Sequence, residues 1–251
     1  MNRLFYLFLL LIFFTSVPNA VCKIMMTQPA DSIYIRAIDY YDESEDSSTV
    51  IEITYPQVFG VSDSDIEHKI NSLLEEEFLK SIEWYEEFVL MLDSVPTMEY
   101  TAGMFFSFET GFDIKLLNGS ILSLVLNHYE FTGGAHGNYY SIGFTFDLKT
   151  GELLTLESII TKESLPFITK LCEEKIKQMY EAGSLIDAGL FEDHIELTMD
   201  QDFYLTQDAL VFQFDPYEIA PYAMGNIEVS IYAEEISEFL LIKSLMTVAD
   251  E

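Results

Sequence analysis

Residues 132–138 read TGGAHGN, and an alternating apolar run stands on each side, SILSLVLNHYEF before and YYSIGFTFDL after. Alternation puts every second side chain on one face of a strand. Two such runs joined by a short glycine-rich bend fold back as antiparallel neighbours. Gly133, Gly134 and Gly137 permit positive φ or close backbone approach, which residues with a Cβ resist. Thr132 and Asn138 can hydrogen-bond local backbone. The loop therefore shapes a sheet and exposes His136.

Other uses of the loop fit less well. A phosphate cradle needs GxxxxGK followed by Ser or Thr, with the lysine and a helix N-terminus neutralising charge. TGGAHGN has no lysine, and a strand pattern follows it. The chain also holds 43 acidic against 12 basic residues, a net charge of −31. Such a field repels nucleic acid and anionic lipid and attracts cations and basic proteins.

The rest of the chain reads as blocks of strands and helices. SIYIRAIDYY and TVIEITYPQV are strands around an acidic loop, DESEDSS. Ile66, Ile70, Leu73, Leu74, Phe78, Ile82 and Tyr85 recur at helical spacing, so residues 65–92 form a long amphipathic helix, with Trp84 in core or edge packing. Pro96 ends that pattern. MEYTAGMFFSFETGFDIKLL returns as strand, and Asn118-Gly119 is a hairpin turn. Past the glycine loop, Lys149-Thr150-Gly151 turns the chain into ELLTL. Ser164-Leu165-Pro166 starts a helix that runs to about Ala182. LIDAGLFEDHIE is a short helical connection, DFYLT and ALVFQFD pair as strands, and NIEVSIYA is a further strand. Residues 233–246 close the chain as an amphipathic helix. The fold class is α+β: an antiparallel meander packed with a long N-terminal-half helix, a mid-chain helix and a C-terminal helix.

Reactive constellations are sparse. The histidines are His68, His128, His136 and His194, with no HExxH and no cysteine pair beside them. His128 and His136 could approach across the bend, but a strand position for His128 and a loop position for His136 explain both. Asp200 and Asp202 are only a fragment of a calcium loop. No GxSxG elbow occurs, and Cys172 sits mid-helix among apolar residues as an inert core thiol. No cofactor, metal site or catalytic residue is expected.

The N-terminus has the shape of an export signal: Arg3, then an unbroken apolar run from Leu4 to Phe14, then Thr15, Ser16, Val17 and Pro18. Cleavage follows Ala20 or Cys22. Anchoring of a lipid on Cys22 ranks second, because Val21 is bulky for the preceding position. No later segment approaches a membrane span, so the mature chain is expected to be exported, periplasmic or secreted, and soluble.

YPQVFGVSDSDIEHKIN, the strand–GGAHG–strand unit, and FYLTQDALVFQFDPYEIAPYAMGNIEVSIYAEEI together resemble an exported bacterial tandem. It joins domain of unknown function 4163 to domain of unknown function 3298. The resemblance implies an export signal over 1–22, a first α+β half over 23–115 and a second over 116–251 that holds the loop. It implies kinship with the ectodomains of RsiV-like anti-sigma factors, which bind lysozyme as receptors. The first half is also similar to accessory domains of peptidoglycan deacetylases. A sigma-binding region and a membrane span ahead of the module are missing from the pattern, so sigma-factor signalling is not implied.

Lysozymes of the animal type are basic, and an acidic chain would meet them fast. Anchors are also needed. The candidates are His136 with Tyr217, Glu218, Pro221 and Tyr222, where Pro216 and Pro221 stiffen the aromatic segment. Gly133, Gly134, Gly137 and Asn138 are the structural part of the loop. The reading is a non-catalytic binding module of the cell envelope whose partner is a basic protein such as lysozyme, or peptidoglycan. The alternative is a hydrolase of envelope polymer with His136 as acid or base.

Overall fold

The computed structural model of the chain describes residues 33–94 and 104–242. The expected export signal with Cys22, the break at Pro96, and residues 243–246 of the expected closing helix lie outside the described residues. No helix within them is long and apolar enough to cross a membrane.

Six strands form the first sheet: β1 (Tyr34–Glu43), β2 (Thr49–Phe59), β3 (Phe106–Leu117), β4 (Ile121–Phe131), β5 (Asn138–Asp147) and β6 (Glu152–Leu153), in that spatial order. Helix α1 (Ser64–Ser94) lies between β2 and β3 in sequence. It starts where Asp63 Oδ1 accepts the Asp65 amide at 2.9 Å, with Asp65 and Glu67 in the first turn, where the helix dipole favours negative charge. The helix carries the chain across the sheet, so β2 and β3 pair parallel, Thr49 opposite Phe106. This pair departs from the all-antiparallel meander expected. An alternating strand looks the same whichever way its neighbour runs; only a crossover of this length makes the parallel choice open.

Both faces of β4 are buried. Leu122, Leu124 and Leu126 meet Ile70 and Leu74 of α1. Farther along α1, Tyr85 and Phe88 pack edge-on to Phe106 and Phe108. Trp84 is at the edge, half exposed, and its Nε1 donates to Glu130 Oε2 at 3.0 Å. On the opposite face Val125 packs with Tyr204, Ala209 and Val211 of a second sheet. That sheet is β7 (Phe203–Leu205), β8 (Ala209–Phe214) and β9 (Ile227–Tyr232), all antiparallel. Its outer side is covered by α3 (Leu165–Met179), where Ile168, Cys172 and Ile176 join the core of Phe212, Val229 and Ile231. A one-turn helix α2 (Leu156–Ile159) precedes it. The layers run α1, six-stranded sheet, three-stranded sheet, α3. Residues 115 and 116 both lie inside β3, so the two sequence halves share the first sheet. Burial pushes the Cys172 thiol up to about 12, which leaves it unreactive.

Two helical expectations are corrected. Residues 184–190 form successive turns rather than a helix, with Ala188 N on Ser184 O and Gly189 at φ 101°. The closing segment makes one 3-10 turn, Ala233–Ile236, followed by a further turn in which the Phe239 amide donates to Ile236 O at 2.9 Å. Leu240 bridges Ile160, and the Leu241 amide donates to Ile159 O at 2.8 Å. Ala233, Ile236 and Leu240 are buried at helical spacing, but neighbouring backbone accepts their segment instead of its own carbonyls.

The sheets dock at closest range where β5 passes Phe203. A Cβ on Gly143 would collide with the Phe203 carbonyl oxygen, whereas one on Gly111 meets nothing within 4 Å. Gly143→Ala should therefore destabilise the protein by about 2–3 kcal/mol or more, the cost of overpacking against rigid backbone. Gly111→Ala should stay within about 0.5 kcal/mol of the parent. Urea unfolding of the two variants measures the contrast.

Candidate functional site

The bend between β4 and β5 is left-handed where the glycines sit: Gly133 has φ 97° and Gly134 φ 100°. Gly137 is buried against the Tyr129 ring, which a Cβ would strike. Asn138 begins β5, exposed and opposite Glu130. His136 is exposed, and its Nδ1 donates to the Gly137 carbonyl at 2.8 Å. No carboxylate joins it among the described residues.

The second segment, 215–225, arrives at the same place. His136 stacks on Tyr222 with centroids 4.0 Å apart and planes 19° from parallel. Tyr222 also meets Tyr139 edge-on at 5.4 Å and Tyr217 at 5.9 Å. Pro221 is exposed and leads into the 3-10 turn Tyr222–Met224. Tyr217 is 54% exposed at φ 71°, an unusual backbone for a residue with a Cβ. Glu218 has a different place: its Oε1 accepts from Gln201 Nε2 at 2.8 Å and its Oε2 from the Asp215 amide at 2.9 Å. Both oxygens are engaged, one by Gln201 and one within the turn, so Glu218 braces the segment rather than presenting a free carboxylate.

Asp215 holds this segment to the sheet, and Asp202, just ahead of β7, holds the start of the second sheet. Beyond short β6, the outer edge of β5 has unpaired amides. Ser141 N donates to Asp215 Oδ1 at 3.0 Å and Gly143 N to Asp202 Oδ1 at 3.4 Å. Burial raises both carboxyl pKa values. Asp215 reaches about 6, with the charges of Asp202 and Glu218 adding to burial.

A hollow of about 300 Å³ adjoins the aromatic cluster. Glu109, Tyr129 and Tyr139 face one another across β3, β4 and β5, and Gly111, Asn127 and Ser141 form the next row. Gly111, lacking a side chain, leaves the floor open. Asn226, next to Gly225, closes one wall. None of these hollow residues stood out in the sequence. The one available signal was the pair Tyr129 and Tyr139, set on either side of the loop in register.

His128 lies on the other face of the sheet, under α1, so it does not meet His136. It stacks on Tyr140 at 4.6 Å, and its Nδ1 is 3.1 Å from Thr110 Oγ1. Burial lowers its pKa, with Glu77 opposing. His194 pairs with Glu192 at the surface. Among the described residues no group of three His, Cys, Asp or Glu side chains is placed to hold a metal.

Residues 157–234 match the model of the protein family of unknown function DUF3298. That stretch is similar to the DUF3298 family. Residues 43–139 match the model named for the deacetylase PdaC. Anti-sigma-V factor RsiV of Bacillus subtilis (strain 168) is 29% identical over 242 residues, 92% of this chain and 80% of that protein. An esterase of Mycobacterium tuberculosis is 25% identical over 113 residues, 43% of this chain and 48% of the esterase. Two crystal structures of DUF3298 proteins share the fold. The Bacteroides fragilis member has a TM-score of 0.68 at 20% identity, covering 85% of this chain and 95% of its own. The Pseudomonas aeruginosa PAO1 member has 0.63 at 17%, covering 87% and 97%.

The buried groups make opposite pH predictions for this protein. Asp215 has its folded pKa raised to about 6. Its contribution to stability is complete below the unfolded value of about 4 and is lost as pH rises through 6. Asp215→Asn keeps an acceptor for Ser141 and should remove that loss, giving a variant more stable than the parent above pH 6 and equal to it near pH 4. His128 has its folded pKa lowered, so its contribution is present above about 6.5 and lost as pH falls below that. His128→Asn should flatten that acid-side fall. Urea midpoints between about pH 4 and 8 read both slopes.

Proposed function

We propose that this chain is an exported, non-catalytic module of the bacterial cell envelope that binds a basic protein, with an animal-type lysozyme as the partner to test. The observation that carries the reading is the His136–Tyr222 stack. It joins the GGAHG loop and the 215–225 segment into one exposed aromatic face. Aromatics held rigid by neighbours lose little entropy on binding, which suits them as anchors. The net charge of −31 speeds encounter with a basic partner without fixing its position. The similarity to anti-sigma-V factor RsiV, along most of both chains, supports a binding role over a catalytic one. Peptidoglycan is the second candidate ligand, supported by the match to the PdaC model. For the envelope hydrolase, His136 as acid or base would need a partner to position it. Its Nδ1 instead goes to a neighbouring carbonyl.

Titration of the mature chain with lysozyme, at low and at near-physiological salt, tests the proposal. Binding should persist at the higher salt, and Tyr222→Ala, with folding verified by circular dichroism, should weaken it on the order of thirtyfold, the loss of a central aromatic anchor. Attraction that vanishes at physiological ionic strength would mark charge alone and end the proposal. Turnover of wall fragments that disappears in His136→Ala would support the hydrolase instead.

A further inference from the structure

We propose that the hollow beside the aromatic face is an arginine pocket, built to receive one guanidinium side chain of a protein partner. The inference rests on the binding reading above and names the chemistry of that contact.

The argument follows the hydrogen bonds of the lining. Asn226 Nδ2 donates to Ser141 Oγ at 3.0 Å, and Ser141 Oγ donates to Asn127 Oδ1 at 3.0 Å. Asn127 Nδ2 in turn donates to Asp113 Oδ2 at 3.2 Å. One hydrogen of each carboxamide is thus directed along this chain. Asn226 Oδ1 is left buried with no partner among the described residues. The Glu109 carboxylate lines the hollow as well, and no lysine or arginine does. The charged group of the lining is an acceptor alone, so the ligand that answers it brings donors and a positive charge.

That condition separates the candidates. Phosphate and carboxylate are acceptors and would meet Glu109 as a like charge. A sugar hydroxyl can donate to Glu109 but brings no charge to answer it. An ammonium donates but is compact and strongly hydrated. A guanidinium is planar, carries five donors and no acceptor, pairs bidentately with a carboxylate, and packs favourably against tyrosine rings. The row Glu109–Tyr129–Tyr139 offers the carboxylate and the two rings side by side. Gly111 leaves the floor without a side chain. Tyr139 also touches Tyr222, so a partner seated on the aromatic face has the pocket within its footprint.

The test uses two probes. Lysozyme binding is compared for the parent, Glu109→Gln and Glu152→Gln; the last removes the same charge from an exposed site on β6. Glu109→Gln should weaken binding on the order of tenfold, mainly through faster dissociation, while Glu152→Gln stays within about twofold. Separately, N-acetyl-arginine amide is titrated into labelled protein. It should shift the Asn226 side-chain amide and the Tyr139 resonances in the parent and not in Glu109→Gln, and N-acetyl-lysine amide should shift them less. If lysozyme binds the parent and both charge variants alike, the arginine pocket is wrong and the binding module stands. If lysozyme does not bind at all, the proposed function fails and the arginine titration alone decides the pocket. Shifts caused by chitin oligosaccharide and not by the arginine amide overturn the pocket in favour of a sugar site.

Discussion

The outer edge of β5 has to give its amide hydrogens to something. A strand edge left open invites pairing with other chains, and a buried amide left unpaired costs as much as a lost hydrogen bond. Here β6 covers the end of the strand, and Asp215 and Asp202 accept from Ser141 and Gly143. The same two aspartates begin and end the β7–β8 region. Satisfying the edge thus fixes where the second sheet stands. Gly143 lets Phe203 approach at backbone range, and deeper in the interface the Leu205 amide donates to Ser123 Oγ, itself 2.7 Å from Thr145 Oγ1. Polar atoms specify the register of an interface whose energy comes from apolar burial.

The aromatic face follows from that docking. Asp215 ends at the first turn of the segment that carries Tyr217 and Tyr222, so the clamp on β5 places Tyr222 over the glycine loop. The face is assembled from two stretches that belong to different sheets. Its geometry depends on their interface more than on either loop alone. Two raised carboxyl pKa values at the clamp show that fixing it leaves negative charge partly desolvated. Backbone amides of β5 answer that charge.

Elements with a strong local period were legible in the sequence. The long helix, the β3–β4 hairpin at Asn118, the β4–β5 meander and α3 stand within a few residues of their expected bounds. Asn118 Oδ1 accepts the amides of Ser120 and Ile121, which is the local chemistry that made the turn readable. What was not legible depends on partners distant in sequence. The parallel pairing of β2 with β3 has no signature in an alternating strand. The segment after Ile236 has a helical apolar period, yet after one turn it leaves the helical path, where the Leu241 amide donates to the carbonyl of Ile159. The two segments singled out as a possible site were readable, but their contact was not, nor was the hollow, because a gap left by Gly111 exists only once three strands are in register.

The parallel seam also orders assembly in time. β1 with β2, and β3 through β5, are hairpins that can close locally, but Thr49 meets Phe106 only after the whole intervening helix has been laid down. Closing so long a loop costs chain entropy before any contact at the seam returns it, and folds dominated by such distant pairings are slow. The nascent protein would then pass through a stage with two separate β-units, each showing a raw strand edge. That interval is when the chain is most exposed to mispairing with its own copies.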